Sequence, residues 1–168
     1  LAIVALTEHT HGLARLFGAA AGRDASSRDV LRAALRAEED FRDRLTAVLG
    51  VSTGLADHLA RHPEDAGLLR GAITRPDEAE LRAGLLRAVG ADPGDPGPGG
   101  LDGPVAVGQE PTAALAAAYR RRLLHLTARD LTSAVTVDEV GEELADIAAA
   151  VLEAALAVAR AELPSGTT

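Results

Sequence analysis

The feature that most constrains the fold is a long helical pattern near the carboxyl end, over residues 136–163. Thr136 and Glu139 form a capping box at its start. At about 1.5 Å per residue, such a helix spans on the order of 40 Å and is predicted to be the spine of a bundle. Its apolar residues recur every three or four positions; they are Val137, Val140, Leu144, Ile147, Val151, Ala154 and Val158, with Leu152 and Leu156 as a second stripe.

Helical periodicity dominates the rest of the chain as well, and the alternation typical of strands is nearly absent. Ser52 or Thr53 is a cap, Pro63 a terminator, and Pro111 a favourable first residue of a helix. We therefore predict an all-α fold, an antiparallel bundle of about six helices. The five helices before the last one are predicted over about 2–17, 26–49, 53–62, 77–89 and 111–131.

Residues 91–108 form a break that is rich in proline and glycine. We predict a flexible loop over residues 91–110 inside a single helical domain, 1–168, because the helices after the loop are too few to fold alone. A length of 168 residues suits one domain. The absence of methionine, including at Leu1, favours a fragment of a larger protein.

The charge and composition exclude several classes of function. All 17 basic residues are arginine, which is typical of a GC-rich genome and needs no functional explanation. The net charge of −8 and the aromatic content of 2% disfavour a nucleic-acid-binding protein. The chain has no cysteine, so it has no disulfide and no thiolate site. No signal peptide or membrane span is recognisable, and cytoplasm is the expected location.

Two histidine pairs are weak candidates for a metal site. His58 and His62 stand at the i, i+4 spacing that grips zinc on one helix face, but a third ligand is missing. A histidine near a helix end is also favourable without any metal. His9 and His11 fall on different faces of a helix. We predict no metal site at either pair.

An acidic cluster opens the last predicted helix. Carboxylates at a helix start complement its dipole and face solvent, which is their usual role. A Mg²⁺ site would also require convergent geometry and a phosphate substrate. The glycines of residues 97–103 lack the strand and the Lys-Ser/Thr of a phosphate-binding loop. The cluster comprises Asp138, Glu139, Glu142, Glu143 and Asp146.

An arginine run is the strongest candidate for an interaction surface. Arg120, Arg121 and Arg122 follow Tyr119 in a helical segment, and Arg129 lies two turns later. Consecutive helical residues point in three directions, so at least one arginine is expected to border an interface and to pair with a carboxylate or a phosphate. Pairing with the acidic cluster of the last helix is an equally good interpretation.

Two segments resemble the N-terminal, deadenylylating half of the bacterial glutamine synthetase adenylyltransferase family. The first is Arg42–Glu64, which contains LADHLARHPE, and the second is Ala118–Leu163, in which YRRRLLHLTARDLT leads to ELADIAAAVLEAALAVARAEL. The resemblance implies a bifunctional enzyme that adds and removes AMP on a tyrosine of glutamine synthetase. The composition suits an actinobacterial member.

The resemblance places catalysis outside these residues. The family's nucleotidyltransferase core carries a glycine-rich turn and an Asp-x-Asp pair that holds Mg²⁺, and neither occurs here; Asp92 and Asp95 lie in the Pro/Gly segment. Catalytic, cofactor and metal residues are therefore predicted to be absent. Mg²⁺ and ATP or ADP are implied for the parent, whose partners would be glutamine synthetase and a PII-type regulator. The alternative is an independent helical module for dimerisation or for binding a small ligand.

Overall fold

The computed structural model describes residues 2–23, 25–97, 103–133 and 135–163, with side chains for residues 10–22, 28–97, 103–133 and 135–163. Within these residues every regular element is a helix and none is a strand, which confirms the predicted all-α class. Seven α-helices and one 3₁₀ helix follow one another. They are α1 (Ala2–Arg23), α2 (Ala25–Ala37), α3 (Glu39–Val51), α4 (Thr53–Arg61), the 3₁₀ helix (Pro63–Leu69), α5 (Glu78–Ala88), α6 (Pro111–Thr132) and α7 (Val137–Glu162).

The chain divides into two compact units. The first comprises residues 1–74 and 123–136, and the second comprises residues 75–122 and 137–168. The second half of α6 belongs to the first unit, and the first half of α6 belongs to the second unit. The organisation of residues 1–168 as one domain, and their arrangement as an antiparallel six-helix bundle, stay predictions.

The first unit is built around α1, which contacts α2, α3 and α4. Leucine and alanine fill its core, as the near absence of aromatic residues requires. Gly12 on α1 allows a close approach to α3, because a Cβ at this position would lie 3.3 Å from the Leu49 side chain. The core residues are Leu16, Ala20, Leu31, Ala34, Phe41, Leu45, Val48, Leu49, Leu55, Ala56, Leu59, Ala66, Leu69, Leu124 and Ala128.

The prediction of one continuous helix over residues 26–49 is wrong, because the helix is interrupted at Glu38. The backbone there is extended, with φ −115° and ψ 101°, and α3 then continues through Gly50 to Val51. Glu39 and Asp40 occupy the first turn of α3, where carboxylates complement the helix dipole. The Arg70 Nε donates to both carboxylate oxygens of Glu38 at 3.0 Å.

The predicted cap and terminator of α4 are confirmed. The Ser52 Oγ accepts a hydrogen bond from the Leu55 amide at 3.2 Å, and α4 ends at Arg61. The 3₁₀ helix that begins at Pro63 was not predicted. Proline suits its first position, because the missing N–H would have no partner there.

In the second unit, α5 packs against α7. Arg75, just before α5, bonds Asp146, and Arg82 on α5 bonds Glu153. Both pairs join residues 71 positions apart, so the two helices run in the same direction. The buried apolar residues of this unit include Leu81, Leu85, Leu86, Val89, Ala91, Ala106, Ala118, Ile147, Ala150, Ala154, Ala157 and Val158.

The buried face of α7 differs from the predicted stripe. Ile147, Ala154 and Val158 are buried as predicted, together with Ala150 and Ala157. Of the other residues in the predicted stripes, Val140 and Val151 are half-buried. Val137, Leu144, Leu152 and Leu156 are exposed. Asp146 and Glu153 bond arginines on the α5 side of α7, and the exposed leucines lie on its other side.

The Pro/Gly segment between α5 and α6 is described over residues 91–97 and 103–110, and neither stretch forms a helix or strand; residues 98–102 lie outside the described residues. Its second stretch contacts α7: the Ala106 amide donates to the Ala157 carbonyl at 3.0 Å. Arg160 donates to the Pro104 carbonyl at 3.3 Å. The predicted flexibility of this loop stays a prediction. None of the described helices is both long and apolar enough to cross a membrane.

Candidate functional site

The arginine run lies on α6, which matches the predicted helix to within one residue. Pro111 is its first residue, and the Ala114 amide donates to the Glu110 carbonyl at 3.0 Å. The helix closes where Thr132 Oγ1 donates to the Ala128 carbonyl at 2.8 Å. A run of alanines in the first half gives the helix high intrinsic propensity.

The four arginines differ in their exposure. Arg120 is exposed beside the partly exposed Tyr119, whereas Arg121, Arg122 and Arg129 are half-buried. Arg122 and Arg129 are two turns apart and share one face of α6. The run belongs to the second unit and Arg129 to the first. The predicted set is therefore not a single cluster, and Arg120 is its most accessible member.

Arg122 is held against α5 by a glycine. Its guanidinium lies over Gly84, where a Cβ would come within 2.7 Å of the Arg122 Nη2. Because glycine has no side chain, the guanidinium can lie directly against the backbone of α5. The aliphatic stem of Arg122 is covered at the same time, as is usual for a long cationic side chain.

The expectation that the acidic cluster faces solvent is wrong for Glu143, which is 2% exposed. Two other carboxylates of the cluster are neutralised by Arg75. Arg75 Nη1 donates to Glu142 at 2.9 Å, and its Nη2 donates to Asp146 at 2.6 Å. The hydrogen bond to Asp146, and then that to Glu142, raises the pKa of Arg75. The predicted pairing of the run with this cluster thus fails for these two carboxylates. No group of three or more metal-ligating side chains occurs in the part of the chain that the structure describes.

Arg82 and Glu153 form a two-pronged ion pair between α5 and α7. The Arg82 Nε donates to Glu153 Oε2 at 2.6 Å, and its Nη2 donates to Oε1. The hydrogen bond to Glu153 raises the pKa of Arg82. A signal for both pairs existed in the sequence: Arg75 and Arg82 are seven residues apart, as are Asp146 and Glu153. The equal spacing is consistent with two parallel pairs, but it does not by itself select these partners among the other charged residues.

The histidine pair on α4 is structural. His58 is 1% exposed, and its Nε2 lies 2.8 Å from Asp65 Oδ2 on the 3₁₀ helix. The His62 ring lies 4.8 Å from that of His58, and its Nδ1 is 3.5 Å from Glu64 Oε1. The contact with Asp65 joins α4 to the 3₁₀ helix inside the first unit. The absence of a metal site at this pair stays a prediction. His11 is exposed, and the side chain of His9 lies outside the described residues.

The sequence matches curated proteins over most of its length. It is 40% identical over 157 residues to the bifunctional glutamine synthetase adenylyltransferase/adenylyl-removing enzyme of Streptomyces coelicolor, covering 92% of this chain and 13% of the relative. The protein of the same name from Mycobacterium tuberculosis is 37% identical over 141 residues, covering 80% of this chain and 13% of the relative. That from Leifsonia xyli is 42% identical over 131 residues, covering 75% and 12%.

The chain belongs to this enzyme family. It spans about one-eighth of the length of the curated relatives that it matches. The predicted resemblance and the actinobacterial affinity are confirmed by these matches. No family model matches the chain, and no solved structure matches it.

Proposed function

We propose that this chain is a non-catalytic helical part of an enzyme that adds AMP to glutamine synthetase and removes it. The observation that carries the proposal is the match over 92% of the chain to a relative with this name. Two further features support it. The chain is helical in all its described elements, and its sequence lacks the glycine-rich turn and Asp-x-Asp pair of a nucleotidyltransferase core.

In this proposal, the chain supports an adjacent catalytic domain in the deadenylylating half of the same polypeptide. Mg²⁺ and ATP or ADP belong to that domain, because its Asp-x-Asp motif has no counterpart in these 168 residues. Glutamine synthetase and a PII-type regulator are partners of the whole enzyme, which we place in the cytoplasm. The helices of the chain would lie beside the catalytic domain and act as a rigid support for it.

The arginine run supplies the contacts in this proposal. Arg120 is exposed, so its guanidinium group offers donors to carboxylates or to a bound phosphate. Arg121 and Arg122 are half-buried on the same turn of α6 and complete the predicted run. Arg129, farther along α6, belongs to the same predicted set. The exposure of Arg120 makes it the first of the four to be available to a neighbouring domain.

The test is phosphate-dependent removal of AMP from adenylylated glutamine synthetase by the longer polypeptide that carries this segment. Charge reversal at two positions, Arg120→Glu with Arg121→Glu, is expected to lower the rate at least ~10-fold, because each unpaired or reversed interfacial charge costs on the order of 2 kcal/mol. A matched control is Arg32→Glu, which reverses an exposed arginine on α2. Unchanged activity and unchanged thermal stability in the double variant would refute the role of the run. A wild-type polypeptide with no activity on glutamine synthetase would refute the family function itself.

One observation favours the alternative of a small-ligand module. The first unit contains a cavity of about 380 Å³ whose apolar wall includes Leu31, Phe41 and Ala66, with Glu64 and Arg70 also lining it. A few polar groups beside an apolar wall are typical of small-molecule sites. Phe41→Trp would place a fluorophore in this wall. Saturable quenching of its emission by small amphiphilic acids would support the alternative, and a flat titration would leave the enzyme proposal alone.

A further inference from the structure

The outward side of α7 is an uncovered apolar surface. Leu144, Leu152 and Leu156 are 42%, 66% and 53% exposed. Ala148, between the first two leucines, and Ala159, just after the last, are exposed on the same side. The spacing of these five residues, in steps of three and four along the chain, puts them on one face of the helix. We call these five residues the outer face of α7.

No charged side chain interrupts the outer face. Between residues 144 and 159 the charged residues are Asp146 and Glu153, and their carboxylates are bonded to Arg75 and Arg82 on the α5 side. The inner side of α7 is buried, and its buried residues include Ile147, Ala150, Ala154 and Ala157. A helix that is apolar on both its inner and outer sides is typical of the interior of a larger protein. Exposed apolar patches of this kind mark interaction sites.

A lipid surface does not suit the outer face. Helices that lie on membranes carry lysine or arginine along their polar side, where they meet anionic headgroups. The polar side of α7 is instead acidic, with Glu142, Asp146 and Glu153. The occupant is therefore a protein surface.

The size of the outer face favours a tethered occupant over a second copy of the chain. Sixteen residues of helix give a strip about 24 Å long and about 10 Å wide, with an area on the order of 240 Å². A stable complex between separate proteins buries about 800 Å² on each partner. A segment of the same polypeptide needs less area, because the linkage gives it an effective concentration in the millimolar range. The relatives have such polypeptide to offer, since this chain spans only 13% of their length.

We infer that the outer face of α7 is a docking surface for another part of the same polypeptide, which presents an apolar, uncharged helix or sheet face to it. The alanines of the outer face allow the occupant's backbone to approach closely, and the leucines fill the grooves between its side chains. This inference rests on the proposed function only for the existence of a longer polypeptide. It assigns the contact to α7, whereas the proposed function assigns contacts to the arginines of α6.

Thiol labelling tests this inference, because the 168 residues contain no cysteine. Leu152→Cys and, separately, Leu156→Cys are made in the longer polypeptide, and the reaction of each new thiol with N-ethylmaleimide is followed by peptide mass mapping. Val107→Cys is the matched control, since Val107 is 81% exposed in the same unit. The protection factor of each site is its labelling rate in guanidinium chloride divided by its labelling rate in the native protein.

Docking predicts a protection factor of at least ~10 at positions 152 and 156 and close to ~1 at position 107. Equal factors at all three positions would overturn the inference. Protection that grows with protein concentration, together with a doubled mass in light scattering, would overturn it in favour of a second copy. The labelling requires no glutamine synthetase, so an inactive polypeptide with protected thiols refutes the proposed function alone. An active polypeptide with unprotected thiols refutes this inference alone.

Discussion

Removal of the Asp65 carboxylate is expected to be one of the most destabilising single changes in the first unit. His58 and Asp65 are both buried, and the 2.8 Å contact between Nε2 and Oδ2 joins α4 to the 3₁₀ helix. A hydrogen bond to a charged group contributes about 1.5–3 kcal/mol, and a buried polar group that loses its partner costs about 1–3 kcal/mol. Asp65→Ala therefore should lower the free energy of unfolding by about 3 kcal/mol.

The size of this effect is well within reach of thermal and chemical denaturation. For a chain of this length, about 3 kcal/mol corresponds to a fall in the melting temperature of roughly 6–12 °C. Circular dichroism at 222 nm during heating and urea titration measures both quantities. Glu64→Ala is the matched control, since Glu64 is the preceding residue of the 3₁₀ helix and is partly exposed. Its loss should change stability by less than about 0.5 kcal/mol.

A double variant separates the pair from its surroundings. His58→Leu with Asp65→Leu removes both members of the contact, and replacement of a buried polar pair by apolar residues is often close to neutral. The double variant should therefore recover more than half of the loss seen for Asp65→Ala. The reasoning would be refuted by Asp65→Ala melting within about 1 °C of the wild type.

Two further predictions concern α1 and the break at Glu38. Gly18→Ala should raise stability by about 0.5–1 kcal/mol through helix propensity, because nothing lies within 4 Å of the new Cβ; Gly12→Ala should not, because its Cβ would lie 3.3 Å from Leu49. Urea denaturation of the two variants compares them, and an equal gain for both would contradict the close approach. The hydrogen bond from Arg70 lowers the pKa of the Glu38 carboxyl below its ordinary 4.5. The stabilisation from this ion pair is thus present above pH 4.5 and is lost as the pH falls. The melting temperature of Glu38→Gln should therefore fall less steeply than that of the wild type between about pH 6 and pH 3. Parallel curves for the two proteins would argue against the pair.

Local signals in the sequence predicted most of the helix ends. Ser52 and Pro111 act within one turn of chain, so their roles follow from the residue type alone. The break at Glu38 was missed because the apolar period continues across it. Three successive acidic residues were the available sign of a new helix start.

The rotation of α7 was not predictable from its apolar pattern, because that helix has apolar residues on both sides. The side that faces α5 also carries the partners of Arg75 and Arg82, which lie 71 residues away in sequence. The His58 contact with Asp65 depends in the same way on a turn at Pro63 that carries no periodic signal. Long-range pairing of polar groups, rather than helix formation, is what the sequence pattern left open.

The central claim is that these helices belong beside a nucleotidyltransferase core in one polypeptide. The most direct measurement is the sequence of the gene past the codon for Thr168. We expect an open reading frame that continues, within a few dozen codons, into a glycine-rich turn followed by an Asp-x-Asp pair. A stop codon immediately after Thr168, with no such motif before residue 1, would contradict it.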